Sequence, residues 1–234
     1  MSASLFLIPV TLGDIEHRRA LPDYNRDLVL TIRHFIVEDV RTARRFLKKM
    51  EPSIDMESLS FYLLNKHTSP VETASYLTPL DRGDDVGVIS EAGCPAIADP
   101  GADIVAMVQR KGYPVVPLVG PSSILLSLMA SGFNGQNFAF NGYLPIDAGE
   151  RMLAVKKMES RVYAENQTQI FIETPYRNNK LVEELLHTCR PSTMLCIASD
   201  ITCPDESIRT LPVREWEGKA PDLNKKPAIF LIYK

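Results

Sequence analysis

Residues 86–123, VGVISEAGCPAIADPGADIVAMVQRKGYPVVPLVGPSS, decide the fold. Residues 86–90 are a short apolar run of the kind that forms a strand buried on both faces. The run opens into Glu91-Ala92-Gly93-Cys94-Pro95, which Gly93 and Pro95 keep out of regular structure, and then into a second turn at Asp99-Pro100-Gly101. Ile104, Val105, Met107 and Val108 recur at helical spacing until Gly112 stops the helix. Residues 113–119 read as the next strand, and Gly120-Pro121-Ser122-Ser123 leads into an apolar helix over 124–130, closed by Ser131-Gly132. Two strand–loop–helix units thus run back to back. Ligands of open α/β sheets bind at the C-terminal ends of strands, so both loops are places to look for a site. The hydroxyls of Ser122 and Ser123 can cap the helix or bond a ligand, and spacing alone leaves both readings open.

Upstream, residues 5–10 form another short apolar strand, followed by Thr11-Leu12-Gly13-Asp14. Gly13 can take a positive φ, and Asp14 can cap a helix over 15–21. Residues 28–35 run into the apolar Phe35-Ile36-Val37, which ends at Glu38-Asp39-Val40-Arg41. In a parallel sheet these charges lie at the cleft rim. Equally, Glu38 or Asp39 caps a helix over 42–49 and Arg41 pairs with a neighbouring acid. Arg44, Arg45, Lys48 and Lys49 give that helix a basic face, which is either a solvated surface or a phosphate-contacting patch. Residues 51–76 read as a polar connection with a helix and a loop at 65–70, and residues 78–85 as a turn into the central strand.

Downstream, Asn134-Gly135 makes a turn and 138–144 a strand. A helix over 151–164 carries Met152, Val155 and Met158 as core fillers. The strand at 170–172 ends in Glu173-Thr174-Pro175-Tyr176-Arg177, an acid, a phenol and a cation at another strand end. A helix over 178–187 and strands at 194–198, 207–212 and 227–233 complete the chain. The one domain boundary falls near 117–121 and divides the chain into 1–118 and 119–234.

The 234 residues are ample for a buried core, and 45% hydrophobic and 24% charged residues are ordinary values for a globular protein. A net charge of −3 lacks the whole-chain basic footprint of a nucleic-acid binder, so any such surface has to be local. Four cysteines, Cys94, Cys189, Cys196 and Cys203, form no CxxC pair, and His17, His34, His67 and His187 do not fall at ligand spacing with them. Neither a metal site nor a disulfide framework is expected. No signal-peptide pattern and no long apolar run occur, so no membrane association and a cytoplasmic location are the expectations. The chain has no Gly-x-Gly, which removes the dinucleotide fingerprint and the commonest glycine-rich methyltransferase loop.

Ser90-Glu91-Ala92-Gly93-Cys94-Pro95-Ala96-Ile97-Ala98-Asp99-Pro100-Gly101, Gly120-Pro121-Ser122-Ser123, Ser131-Gly132 and Gly142-Tyr143-Leu144-Pro145 occur in the order and spacing of one group. The chain resembles the tetrapyrrole methylase family of S-adenosylmethionine-dependent methyltransferases. It is most similar to the branch that methylates a ribose 2′-hydroxyl in small-subunit ribosomal RNA, to which Glu38-Asp39-Val40-Arg41 and Glu173-Thr174-Pro175-Tyr176-Arg177 also correspond. The resemblance implies a two-domain α/β fold with a mainly parallel N-terminal sheet, a mixed C-terminal sheet and the cofactor cleft between them, within a homodimer.

Carried over, Pro9, Gly93, Cys94, Ile97, Ser122, Ser123, Phe171 and the segment around Ala228 would hold the cofactor, S-adenosylmethionine. Glu173 is the first candidate for an acid acting on the acceptor hydroxyl, followed by Asp99 and Glu38, and Arg41 and Arg177 are candidates for acceptor phosphates. Methyl transfer from a sulfonium needs placement and exclusion of water rather than a metal or a covalent nucleophile. The chain departs from the branch at Pro9–Asp14, at Cys94, and in two places where cations are usual: Ile146-Asp147-Ala148, which retains only the following Gly149-Glu150-Arg151, and Ser199-Asp200-Ile201-Thr202-Cys203. Ribosomal RNA or the small ribosomal subunit is the expected partner. A corrin or porphyrin precursor as acceptor, or a SAM-binding module without catalysis, are the alternatives these departures keep open.

Overall fold

The computed structural model describes residues 3–65 and 68–234, so Lys66 and His67 of the 65–70 loop lie outside the described residues. The chain divides into two compact units, Met1–Ser122 and Ser123–Lys234.

The first unit is built on five short strands: β1 (Leu5–Ile8), β2 (His34–Val37), β3 (Ser60–Leu63), β4 (Val86–Ile89) and β5 (Val115–Pro117). All pair in parallel, in the order β3-β2-β4-β1-β5. The central β4 is buried throughout. At Gly87 a Cβ would lie 2.6 Å from Ile8 Cδ1 and 3.0 Å from Phe35 Cδ1, so the side chains of the two flanking strands occupy its place. Helices α1 (Asp23–Val29), α2 (Val40–Met50), α3 (Pro70–Ser75), α4 (Thr78–Asp81) and α5 (Gly101–Lys111) supply the connections. Alternation along the strands feeds two separate cores: Ile8, Phe35 and Val37 pack with Val29 and Leu47, whereas Leu5, Ile36 and Val88 pack with Leu77 and Ile104. Each such buried side chain contributes roughly 1.5–3 kcal/mol of apolar burial.

The topology also locates the crevice. β2 continues outward to β3, whereas β4 continues across β1 to β5, so the connections diverge between β2 and β4. That reversal is the switch point at which ligands bind in open parallel sheets.

Two local expectations fail here. Residues 15–21 do not form a helix; a single 3₁₀ turn, His17–Arg19, precedes Pro22, which starts the separate helix α1, whose last two residues alone fall in the 28–35 lead-in to β2. Asp14 caps nothing and pairs with Lys49 at 2.5 Å. The strand β3 was hidden in the polar connection at 51–76 because it is an edge strand with its end residues Ser60 and Leu63 exposed, so it lacks a buried apolar run.

The second unit carries β6 (Phe138–Tyr143), β7 (Thr168–Ile172), β8 (Met194–Ser199), β9 (Ser207–Pro212) and β10 (Ala228–Tyr233), in the order β6-β7-β10-β8-β9. Only β6 and β7 are parallel, and the remaining pairs are antiparallel, which makes the sheet mixed. The parallel pair needs a crossover, which α7 (Ala148–Glu165) provides. Asp147 caps α7 by accepting the Glu150 N–H at 2.9 Å, so the helix starts earlier than the apolar spacing suggests. With α6 (Ser123–Ser131) and α8 (Asn178–Thr188), the sheet encloses a core around Phe171, Trp216 and Phe230. Among the described residues no helix is long and apolar enough to cross a membrane.

Candidate functional site

At the switch point of the first unit, β2 ends in Glu38 and β4 opens into Ser90 and the loop up to Gly101. Asp39, adjacent to Glu38, caps α2 by accepting the N–H groups of Arg41 at 2.7 Å and Thr42 at 2.9 Å. Glu38 is turned to the sheet end instead, where one carboxylate oxygen accepts the Glu91 N–H at 3.3 Å. Burial pushes the Glu38 carboxyl above the ordinary carboxylate range, and the negative charge of Asp99 pushes it further. Asp99 is also raised by burial, partly offset by its backbone hydrogen bonds. Among the described residues neither acid forms an ion pair with a lysine, arginine or histidine. Two half-buried like charges side by side disfavour their own ionised forms and favour a bound cation.

Asp99 has a second task. Its two oxygens accept the Ala96 N–H at 2.9 and 3.0 Å, and one also accepts the Gly101 N–H at 2.7 Å. These bonds hold a loop in which Ala96 and Ala98 both have positive φ, a conformation that costs an alanine energy and needs support. The loop thereby presents Ile97 to solvent with 53% of its surface exposed.

The other loops of this unit close around the same strand ends. Val10 donates its N–H to the Gly93 carbonyl at 2.9 Å, and Gly93, at φ 70°, leaves room for Leu12 and the Pro121 carbonyl where a side chain would stand. The Cys94 thiol lies 3.4 Å from the Pro121 carbonyl oxygen and donates to it. Burial pushes this thiol up, so it stays protonated. Pro9 is buried with its ring against Gly120, where a Cβ would come within 2.3 Å. Pro9, Gly93, Cys94 and the segment leading to Ser122 are therefore brought together; Ser123 opens α6 of the second unit.

The basic face of α2 is largely spent within the fold. Lys48 donates to the carbonyls of Pro52 and Ile54, Lys49 pairs with Asp14, and the Arg44 guanidinium stacks 5.2 Å above the Phe61 ring. Arg41 and Arg45 are exposed.

In the second unit the end of β7 is organised differently. Glu173 is buried, and one oxygen of its carboxylate accepts the Thr174 N–H at 2.6 Å and an Arg177 N–H at 2.6 Å. Arg177 is therefore tied to Glu173, while Tyr176 is exposed. Phe171 is fully buried and stacks on Phe230 with centroids 5.9 Å apart, leaving only its backbone to meet a ligand. Ala228, half-buried at the start of β10, pairs with Ser199. Arg151 carries a role that apolar periodicity cannot reveal. It is buried, binds both oxygens of Glu184 at 2.6 Å, and donates to the Pro145 and Ile146 carbonyls at 2.9 and 2.7 Å. It locks the turn after Gly142-Tyr143-Leu144-Pro145, and the retained Gly149-Glu150-Arg151 was the only sequence signal for it.

These residues fit S-adenosylmethionine. The Asp99 carboxylate, in no ion pair among the described residues, suits its cationic groups, and the exposed Ile97 suits its apolar chain. In the second unit Asn178 Nδ2 donates to the Lys226 carbonyl at 2.8 Å, and the buried Asn178 Oδ1 has no partner.

The profile of the Tetrapyrrole (Corrin/Porphyrin) Methylases matches residues 27–217. The ribosomal RNA small subunit methyltransferase I of Vibrio cholerae is 26% identical over 98% of this chain and 76% of its own length. The enzyme of the same name from Leptospira borgpetersenii is 33% identical over 79% of this chain and 68% of its own length. Among solved structures the methyltransferase CobJ superposes with a TM-score of 0.64 at 16% identity, covering 100% of this chain and 95% of its own. Uroporphyrin-III C-methyltransferase from Thermus thermophilus, complexed with S-adenosyl homocysteine, gives 0.58 at 16% identity, covering 99% and 97%. At such identities the superpositions speak for the fold. Matched by profile over most of its length, this chain belongs to the tetrapyrrole methylase family and is an S-adenosylmethionine-dependent methyltransferase.

Proposed function

We propose that this methyltransferase acts in the cytoplasm on a ribose 2′-hydroxyl of small-subunit ribosomal RNA, with Glu38 as the general base. The observation that carries the base assignment is the state of the three candidate acids. Glu173 is buried against Arg177, and Asp99 spends both oxygens on backbone N–H groups. Glu38 holds one long backbone bond of 3.3 Å and is raised toward neutrality, the condition of a useful base. The substrate class rests on the relatives along nearly the whole chain, which are named ribosomal RNA small subunit methyltransferase I.

In this reading Pro9, Gly93, Cys94, Ile97, Ser122 and Ser123 hold the cofactor from one set of loops, and the Phe171 backbone and the segment around Ala228 hold its adenosine. The bound cofactor supplies an activated methyl group on a sulfonium sulfur. Asp99 holds the 96–101 loop in shape and adds negative charge on the cationic side. Glu38 accepts the proton that the acceptor hydroxyl loses, and Arg41 and Arg177 hold acceptor phosphates, Arg177 through the donors it does not give to Glu173. Leu125 and Met129, exposed on α6 with 51% and 78% of their surfaces accessible, support burial between two copies in a homodimer.

The test is transfer of a labelled methyl group to small ribosomal subunits that lack their own methylations, with ribose digestion to locate the label. Label on a 2′-oxygen is the expected result. Cofactor binding without label in RNA, or label in a corrin or porphyrin precursor, overturns the substrate assignment.

A further inference from the structure

Beside the switch point, the first unit contains an open pocket of about 300 Å³ between the 10–14 loop, the end of β4 and α2. We propose that it binds one nucleotide unit of the acceptor RNA, with Arg45 on a phosphate and Glu91 on a ribose hydroxyl; the proposal rests on the RNA reading above.

The lining decides the ligand chemistry. Lys49 and Asp14 both line the pocket but neutralise each other, and the lysine holds the Asp14 carboxyl below its usual range. Among the described residues Arg45 donates no side-chain hydrogen bond and joins no ion pair; its charge helps to lower the Asp14 carboxyl, while its guanidinium donors remain available to a phosphate. It stands one helical turn from the equally exposed Arg41, on the same face of α2, and the two make a short track for consecutive phosphates. One Glu91 oxygen accepts the Thr42 hydroxyl at 2.6 Å, and among the described residues Glu91 forms no ion pair. Its other oxygen can accept from a hydroxyl, the group that separates RNA from DNA. Phe46 adds an apolar wall.

Size and charge exclude the other acceptor of the family. Small-molecule sites run from roughly 300 to 1,000 Å³, so this pocket stands at the small end and admits a nucleotide, not a macrocycle. A tetrapyrrole precursor carries several carboxylates, which the Glu91 carboxylate repels.

The experiment is methylation of undermethylated small subunits across a series of salt concentrations by the wild-type chain and by Arg45→Ala, Glu91→Gln and Arg214→Ala. Arg214 is exposed in the second unit and serves as the control. Arg45→Ala is expected to raise KM for the subunits roughly tenfold with a much smaller effect on kcat, and to reduce the log–log salt slope by about one. Glu91→Gln is expected to reduce the preference of the protein for a short RNA over the DNA of the same sequence, read by direct binding. Arg214→Ala is expected to match the wild type. Wild-type methylation with an unchanged KM and salt slope in Arg45→Ala overturns the pocket assignment and leaves the RNA reading intact. No methylation of subunits by the wild type overturns the RNA reading, and the pocket assignment with it.

Discussion

The ends of β2 and β7 both present an acid, in Glu38-Asp39-Val40-Arg41 and in Glu173-Thr174-Pro175-Tyr176-Arg177, yet their electrostatics are opposite. At β7 the arginine lies four residues on and folds back onto the acid, giving an ion pair at 2.6 Å in which the carboxylate is buried. At β2 the helix starts at once, Asp39 takes the cap, and Arg41 points into solvent, so Glu38 meets another acid instead of a cation. A strand-end acid becomes structural or reactive according to where the next helix begins. The first arrangement stabilises the loop; the second leaves a base waiting for a partner.

Substitutions at the two ends break this comparison if it is wrong. The largest expected effect is on turnover: Glu38→Gln should lower kcat about 100- to 10,000-fold, the usual reach of a general base, with calorimetric SAM affinity held within about twofold. The wild-type rate should climb as pH rises through the raised pKa of Glu38, because only the carboxylate can accept the proton, and this limb should vanish in the variant. A variant with normal turnover would return the base to Glu173. The sign for folding is also fixed. A carboxyl raised on folding makes the native state hold more protons than the unfolded chain, so its contribution to stability falls as pH rises from the ordinary carboxylate value through the raised one.

Next in size is Glu173→Ala, which removes the partner of the Arg177 guanidinium; because that side chain is about one-third exposed, solvent screens part of the loss, and the chain should be destabilised by about 1–3 kcal/mol. Urea denaturation measures it, and a loss under about 1 kcal/mol would show that the pair is no more than a surface contact. The smallest effect belongs to Asp39→Ala. Loss of the cap of α2 should lower the urea midpoint less than Glu173→Ala does, and because Asp39 faces the helix and Glu38 the sheet end, kcat should change far less than in Glu38→Gln. Equal losses of activity in the neighbouring variants would sink the division of labour between them.

Much of this was legible in the chain itself. Buried runs such as VGVI and AIFLIY, glycine stops such as Gly112 and the ordered motifs from Ser90 to Pro145 carry the two-sheet α/β architecture and the family, because hydrophobic periodicity and turn chemistry are local. The edge strand β3 and the helix α1 were not legible, since an edge strand lacks a buried face and Pro22 restarts a helix that spacing alone would merge or miss. What only the tertiary structure decided is the condition of each charge. Sequence places Glu38, Asp99 and Glu173 at strand ends, but whether an acid meets an arginine, a row of backbone N–H groups or another acid depends on residues 2 to 61 positions away. The same holds for the α2 cations, of which Lys48, Lys49 and Arg44 are taken up by Pro52, Asp14 and Phe61. Burial sets the cost of a charge and neighbours set its sign, and both are properties of the folded chain.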